Sequence, residues 1–135
     1  MAASQVPQGG DMAARKASRI GQAIRKHALS YPETAEEFPW GESAFKVKGK
    51  TFVFMRDDGE GVSFSVKVPS SRDLALSLPG AEPTHYGLGV KGWVTVRPDA
   101  ATSLHVLRFL VDESYRAVAP KRVLAALPEP PRLYQ

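Results

Sequence analysis

The sequence predicts an α+β fold, a single compact domain in which an antiparallel β-sheet of about five strands has helices packed on one face. Apolar residues recur at every third or fourth position near the two ends of the chain, which indicates amphipathic helices. In the middle they recur at every second position, which indicates half-buried strands. Because 135 residues suit one core, we expect one domain at residues 11–128, between a flexible N-terminal tail (1–10) and a C-terminal tail (129–135).

The composition is that of a soluble globular protein, with 43% hydrophobic residues, 24% charged residues and a formal net charge of +4. The chain contains no cysteine, which excludes disulfides, thiolate metal ligands and iron–sulfur clusters. No apolar run approaches the ~20 residues of a membrane helix, and the N-terminus lacks the apolar core of a secretory signal. We therefore expect a cytoplasmic protein without a membrane partner.

The first predicted helix runs from Asp11, a suitable N-cap, to Ser30, and Pro32 ends it. Its buried stripe recurs at spacings of three and four and consists of Ala13, Ala17, Ile20, Ile24, Ala28 and Tyr31. The opposite side of the helix carries Arg15 and Arg19. The segment PETAEEFPWGES that follows is predicted to be a loop.

Two hairpins are predicted around the related segments VKGK and VKGW. Lys48-Gly49 forms the turn of the first, and Lys91-Gly92 forms the turn of the second between strands at 85–90 and 93–97. Glycine supplies the positive φ that such a tight turn requires. Between the hairpins, DDGEG predicts a turn, and residues 62–68 alternate like a strand with one buried face.

Three further helices complete the prediction. A short one begins at Ser70 or Ser71, and Pro79-Gly80 stops it. A long one is opened by Pro98-Asp99 and carries the apolar stripe Leu104, Leu107, Val111, Tyr115 and Val118. Pro120 breaks that helix, and a last short helix follows at 121–127.

No set of side chains in the sequence has the spacing of a catalytic or metal site. The three histidines lie in different predicted elements, without a partner at metal-ligand spacing. The carboxylates of Glu33, Glu36 and Glu37 crowd a loop rich in proline, where solvated charge explains them better than acid–base chemistry. The segment GLGVKG lacks the helix that a phosphate-binding loop requires. We therefore predict a non-enzymatic protein with no catalytic residue, no metal and no cofactor.

Basic side chains concentrate on the predicted strands and hairpin turns. The candidates for binding an anionic partner are Lys46, Lys48, Lys50, Lys67, Lys91 and Arg97, together with Arg15 and Arg19 of the first helix. By alternation, Lys46 and Lys48 lie opposite the buried Phe45 and Val47, so several of these lysines can share an open sheet face. Such a face suits phosphate contacts, but exposed lysines on strands also prevent edge-to-edge aggregation. The residues alone leave both interpretations open.

The order of several motifs resembles the MmcQ/YjbR family over roughly residues 19–127. These motifs are FPWGESAFKVKGKTFVFM, SFSVKVPSSRDLALSLPGAEPTHY, GVKGWVTVRPDA and VDESYRAVAP. The resemblance implies a compact fold related to the CyaY (frataxin-like) superfold, with a double-wing DNA-binding arrangement. It would place Lys46, Lys48 and Lys50 on one wing, and Lys91 and Trp93 on or near the other, although Trp93 is equally suited to the core. Frataxin-like relatives bind iron through acidic ridges, and no helix here presents such a row of carboxylates, so we expect no iron binding.

Two functions follow as hypotheses. The first is a non-enzymatic, sequence-tolerant protein that binds double-stranded DNA through lysines of two β wings and through the first helix. The second is a protein-interaction or small-ligand module without a nucleic-acid role, with a cleft lined by Phe38, Trp40, Tyr86 and Trp93. Convergence of the basic side chains on one surface would favour the first hypothesis, and a shared aromatic pocket would favour the second.

Overall fold

The computed structural model describes residues 11–38, 42–58 and 61–133, with side chains from residue 19 onward. The predicted N-terminal tail, Trp40, and Gly59 and Glu60 of the acidic turn lie outside these ranges. The elements are α1 (Asp11–Leu29), β1 (Thr34–Glu37), β2 (Ser43–Val47), β3 (Lys50–Asp57), β4 (Val62–Lys67), α2 (Arg72–Leu76), β5 (Glu82–Pro83), β6 (Trp93–Val96), α3 (Leu104–Val118) and α4 (Lys121–Leu124).

The six strands form one sheet in the order β1-β2-β3-β4-β6-β5, and every neighbouring pair is antiparallel. This confirms the predicted α+β class, with one strand more than the number expected. The additional strand is β1, whose residues TAEE lie in the segment predicted to be a loop. Its β propensity is weak, and it is a strand because Thr34 to Glu37 pair with Val47 to Ala44 at the sheet edge.

The core lies between one face of the sheet and the helices. Alternate strand residues such as Val53, Phe64 and Val94 join one buried cluster with Ile24 of α1 and Leu107 of α3. The residues between them, among them Lys46, Ser63, Lys67 and Thr95, lie on the opposite, open face, and none of these four is fully buried. Among the helices of the described ranges, none is long and apolar enough to span a membrane.

The first predicted hairpin is confirmed at its turn. Lys48 and Gly49 connect β2 to β3 and have φ values of 50° and 82°. Two consecutive residues with positive φ are the hallmark of a type I′ turn, whose twist matches that of the flanking strands. The glycine in VKGK is therefore required by backbone geometry, which leaves the neighbouring lysines free for another role.

The second predicted hairpin is wrong in its turn position. Lys91-Gly92 does not lie between two long strands, because β5 contains only Glu82–Pro83 and residues 84–92 form a loop. That loop ends in a 3-10 turn at Gly89–Lys91, held by hydrogen bonds such as Lys91 N to Leu88 O. Gly92 still has a positive φ of 95°, where it ends the 3-10 turn. Glycines at 87, 89 and 92 favour turns over a regular strand, which explains the difference.

The long helix also begins later than predicted, at Leu104 instead of next to Pro98. The carboxylate of Asp99 accepts hydrogen bonds from Ala101 N and from the Thr102 hydroxyl, which forms a separate turn. Ser103 is the true N-cap, since its hydroxyl accepts from Val106 N.

Two polar residues of α3 join the helices to the rest of the fold. The fully buried Ser114 hydroxyl donates to the carbonyl of Phe52 in β3 and accepts from Lys67 N in β4. Asp112 is 4% exposed and accepts from the Tyr31 hydroxyl at 2.6 Å and from Arg116 Nε at 2.7 Å. Side chains of α3 thus bind the start of β3, the end of β4 and the segment that follows α1.

The strand register gives the sheet two distinct ends. Val53 pairs with Val66 and Val66 pairs with Val94, so the start of β3, the end of β4 and the start of β6 lie at one end. We call it the tip end, because the Lys48-Gly49 turn and loop 84–92 both lie there. Asp57 and Val62, which pair with each other, lie at the opposite end, which we call the far end.

Candidate nucleic-acid interface

Five basic side chains gather at the tip end. Lys48 and Lys50 belong to the β2–β3 turn, and Lys67 ends β4. Val68 N donates to Gly92 O, which brings the end of β4 against loop 84–92. A surface cleft at this junction is lined by Pro69, Arg72, Gly89, Val90, Lys91 and Gly92. Lysines from separate parts of the sequence and Arg72 of α2 therefore share one end of the molecule.

Four of these five cations have no carboxylate partner among the described residues. Within the described residues, Lys50, Lys67, Arg72 and Lys91 form no ion pair. Lys48 differs, because its Nζ lies 3.3 Å from a Glu33 carboxylate oxygen.

Glu33 binds two cations at once. Its carboxylate also receives two hydrogen bonds from the Arg122 guanidinium, at 3.0 and 3.3 Å. The hydrogen bonds from Arg122 and then from Lys48 lower the pKa of Glu33. The three side chains together carry a charge of +1, so this network leaves the tip end basic.

Two other predicted contact residues are neutralised by carboxylates. Lys46 lies on the open face and forms an ion pair with Glu37 at 2.9 Å. Arg97 follows β6 at the far end, where it lies 3.0 Å from a Glu82 carboxylate oxygen and donates to Gly80 O. Neither Lys46 nor Arg97 therefore adds an unpaired positive charge to the tip end.

The part of the first helix that carries Arg19 also lies away from the tip cations. A Cβ placed on Gly21 would lie 2.7 Å from an Asp57 carboxylate oxygen, so this part of α1 is next to the far end. Arg19 precedes Gly21 by two residues and is exposed there. Arg15 belongs to α1, but its side chain is outside the described part of the structure.

The structure does not bring together those residues of the predicted aromatic cleft that it describes. Trp93 is only 7% exposed and packs against Phe54, with ring centroids 5.6 Å apart. Phe38 follows β1 at one edge of the sheet, whereas Tyr86 follows β5 at the opposite edge. These side chains cannot line one pocket. The fourth residue of that prediction, Trp40, lies outside the described residues.

The acidic residues suspected of forming a site are engaged in separate contacts. Glu36 is held by Arg25 at 3.1 Å and accepts from the Ser43 hydroxyl at 2.7 Å. Glu37 and Glu33 form the ion pairs described above. Within the described ranges, no group of three or more His, Asp or Glu side chains is placed to hold a metal ion.

Arg72 is a tip residue that the sequence alone does not identify. Its surroundings in the sequence predict only a short helix after β4, and α2 does begin there. The contact between Val68 and Gly92 places this helix against loop 84–92. A weak signal exists in the sequence, because Arg72 follows Lys67 by five residues across a short Pro-Ser-Ser connection.

The structure defines an α+β protein with a six-stranded antiparallel sheet and a basic tip end. A family model described as YjbR matches residues 29–117, more than half of the chain, so this chain belongs to the YjbR family. The family resemblance predicted from the motifs is confirmed. No curated protein was found to match the sequence.

The solved structures that are similar to this chain include the following two. One is the Deinococcus radiodurans protein DR2400, with a domain described as DUF419, at 26% identity and a TM-score of 0.59. The match covers 68% of this chain and 72% of that protein. The other is a protein from Pseudomonas syringae, at 18% identity and a TM-score of 0.57, with 73% of this chain and 97% of that protein covered. The second likeness shows the fold alone.

Proposed function

We propose that this YjbR-family protein is non-enzymatic and binds DNA through phosphate contacts at the tip end, with little preference for sequence. The observation that carries the proposal is the convergence of two separate segments. The β2–β3 turn and loop 84–92 lie at the same end of the sheet. Next to the turn, Lys50 has no carboxylate partner among the described residues, and neither does Lys91 of the loop, whereas Lys48 is paired with Glu33. Sequence reasoning alone could not distinguish such convergence from scattered, protective lysines.

The chemistry of these residues suits a phosphate backbone. Lysine is a compact, flexible point charge that neutralises phosphates and displaces condensed counterions without reading base edges. Contacts to phosphate fix the position of a protein on DNA but carry no sequence information. A surface of Lys50, Lys67 and Lys91, with Arg72 beside them, is therefore expected to bind many sequences with similar affinity.

The ion pairs limit the size of the proposed interface. Lys46 and Arg97 already have carboxylate partners, and Arg19 is at the far end. Four free cations and Lys48 remain, which gives about four to five phosphate contacts and a slope of log K against log salt of about −4 for duplex DNA.

A binding titration tests this proposal on the unmodified protein. We expect two labelled duplexes of unrelated sequence to bind equally, with affinity falling about 100-fold or more between ~50 and ~200 mM salt. The measurement is fluorescence anisotropy at several salt concentrations. Absence of binding at the lowest salt, or affinity that does not change with salt, would contradict the proposal.

A further inference from the structure

Loop 84–92 presents an unusual exposed surface at the tip end. Tyr86 is 100% exposed and Val90 is 90% exposed, whereas Trp93, directly after the loop, is buried. A tyrosine side chain normally covers part of its apolar ring against the protein. The apolar ring of Tyr86 is therefore in solvent, although Trp93 at the end of the same loop is packed against the protein.

The backbone holds Tyr86 in this position. Tyr86 has φ 62° and Gly87 has φ 80°, so two consecutive residues are in the left-handed region. Positive φ is uncommon for a bulky residue and occurs where surrounding structure enforces it, often at functional sites. Here the loop is closed by the bonds Thr84 N to Trp93 O and Gly89 N to Thr84 O. The exposed ring is therefore carried by an ordered loop.

Basic side chains lie on this loop and at its junction with β4 and α2. Lys91 belongs to the loop itself, and Arg72 lines the adjoining cleft together with Val90. Lys67 is next to the same junction through the bond from Val68 N to Gly92 O. The loop thus carries both an exposed aromatic ring and a free cation. Proteins that bind single-stranded nucleic acids combine these two features, because bases stack on aromatic side chains while the backbone follows a basic groove.

We propose that Tyr86 stacks on an unpaired base, so that the preferred ligand is single-stranded or locally unpaired DNA instead of a regular duplex. This inference rests on the proposed DNA-binding function and specifies its substrate class. A stacked duplex offers no free base face to the ring, whereas every unpaired base does. The cations around the loop favour this occupant over an uncharged apolar partner, because Tyr86 and Val90 alone present a small apolar area.

The test compares three labelled probes of the same sequence: a single strand, the matched duplex, and the duplex with an unpaired central bubble. We expect the wild-type protein to bind the single strand and the bubble more tightly than the duplex. Tyr86→Ala should weaken binding to those two about 5- to 150-fold, the effect of losing one stacked base, and change duplex binding less than about twofold. Tyr86→Phe keeps the ring and should retain wild-type affinity for all three probes.

The outcomes separate the two proposals. Tyr86→Ala binding that is unchanged on every probe, or reduced equally on all three, would overturn the stacking inference while the DNA-binding function stands. Failure of the wild-type protein to bind any probe at low salt would overturn the DNA-binding function, and the stacking inference with it. Both proposals would also be overturned if the protein bound anionic lipid vesicles in a Tyr86-dependent manner and bound none of the DNA probes.

Discussion

Asp112→Ala is expected to lower the free energy of unfolding by about 2 to 4 kcal/mol, because it removes the buried carboxylate from a partly buried ion pair and the acceptor from the Tyr31 hydroxyl. The Arg116 guanidinium would lose the carboxylate 2.7 Å from its Nε, and the Tyr31 hydroxyl would lose its acceptor. Burial and the hydrogen bond to Asp112 raise the pKa of Tyr31, so this hydroxyl stays protonated and continues to need an acceptor.

The same substitution also affects His27. Since the single hydroxyl hydrogen of Tyr31 is donated to Asp112, His27 Nε2 must donate to the Tyr31 oxygen, 3.0 Å away. Burial, together with the nearby Arg108 charge, lowers the pKa of His27 and favours the neutral ring that this arrangement uses. The loss of Asp112 therefore disturbs a chain of three hydrogen-bonded side chains between α1 and α3.

The measurement for Asp112→Ala is urea unfolding followed by fluorescence. Asp73→Ala provides the matched control, because Asp73 is an exposed residue of the same type in α2. We expect the control to stay within about 0.5 kcal/mol of wild type. Stability of Asp112→Ala within that same range would show that the contacts of Asp112 with Tyr31 and Arg116 do not stabilise the packing of α1 on α3.

Ser114→Ala is expected to lower the free energy of unfolding by about 2 to 4 kcal/mol, because two backbone groups lose their partner at once. The Ser114 hydroxyl accepts from Lys67 N at 2.8 Å and donates to the Phe52 carbonyl. The regular β3–β4 pairing begins at Val53 and Val66, just beyond this point. The hydroxyl thus provides partners for Lys67 N and Phe52 O, which the β3–β4 pairing leaves without one. Ser114 itself is 0% exposed.

Ser70→Ala is the control for this second substitution. Ser70 is exposed, and its contact with Glu113 uses the backbone N, which the substitution keeps. The same unfolding experiment should separate the two variants clearly. If Ser114→Ala were as stable as Ser70→Ala, the bridge between β3 and β4 would have no energetic role, and the position of Lys67 would need another explanation.

Local chemistry in the sequence predicts part of the tip end. The positive φ of Gly49 follows from the turn that VKGK makes between alternating strands. The placement of Lys67 on the open face, opposite Val66 and Val68, follows from the two-residue period. These features depend on neighbours along the chain, and for that reason a pattern of a few residues is enough to predict them.

Features that depend on distant partners could not be predicted in this way. Strand β1 exists because β2 offers it an edge, and Lys46 is neutralised because β1 then places Glu37 beside it. The role of Arg72 depends on the contact of Val68 with Gly92. The second VKG segment predicts a hairpin turn at Lys91 by its likeness to the first, and the extra glycines of loop 84–92 prevent that hairpin.

The central claim, that DNA binds at the tip end, is tested most directly by comparing two triple variants with equal charge. Lys50, Lys67 and Lys91 are changed to Gln in one, and the exposed helix residues Arg19, Lys26 and Arg108 are changed to Gln in the other. Each variant loses three positive charges, so its formal net charge falls from +4 to +1. Any general effect of net charge is therefore the same in both.

The measurement is the slope of log K against log salt for duplex binding. The tip variant should bind at least about tenfold more weakly than wild type at low salt, and its slope should be smaller by about 2 to 3, since each lost phosphate contact removes about 0.9. The helix variant should keep a slope close to that of wild type. Equal losses in the two variants, or a larger loss in the helix variant, would contradict the assignment of the interface to the tip end.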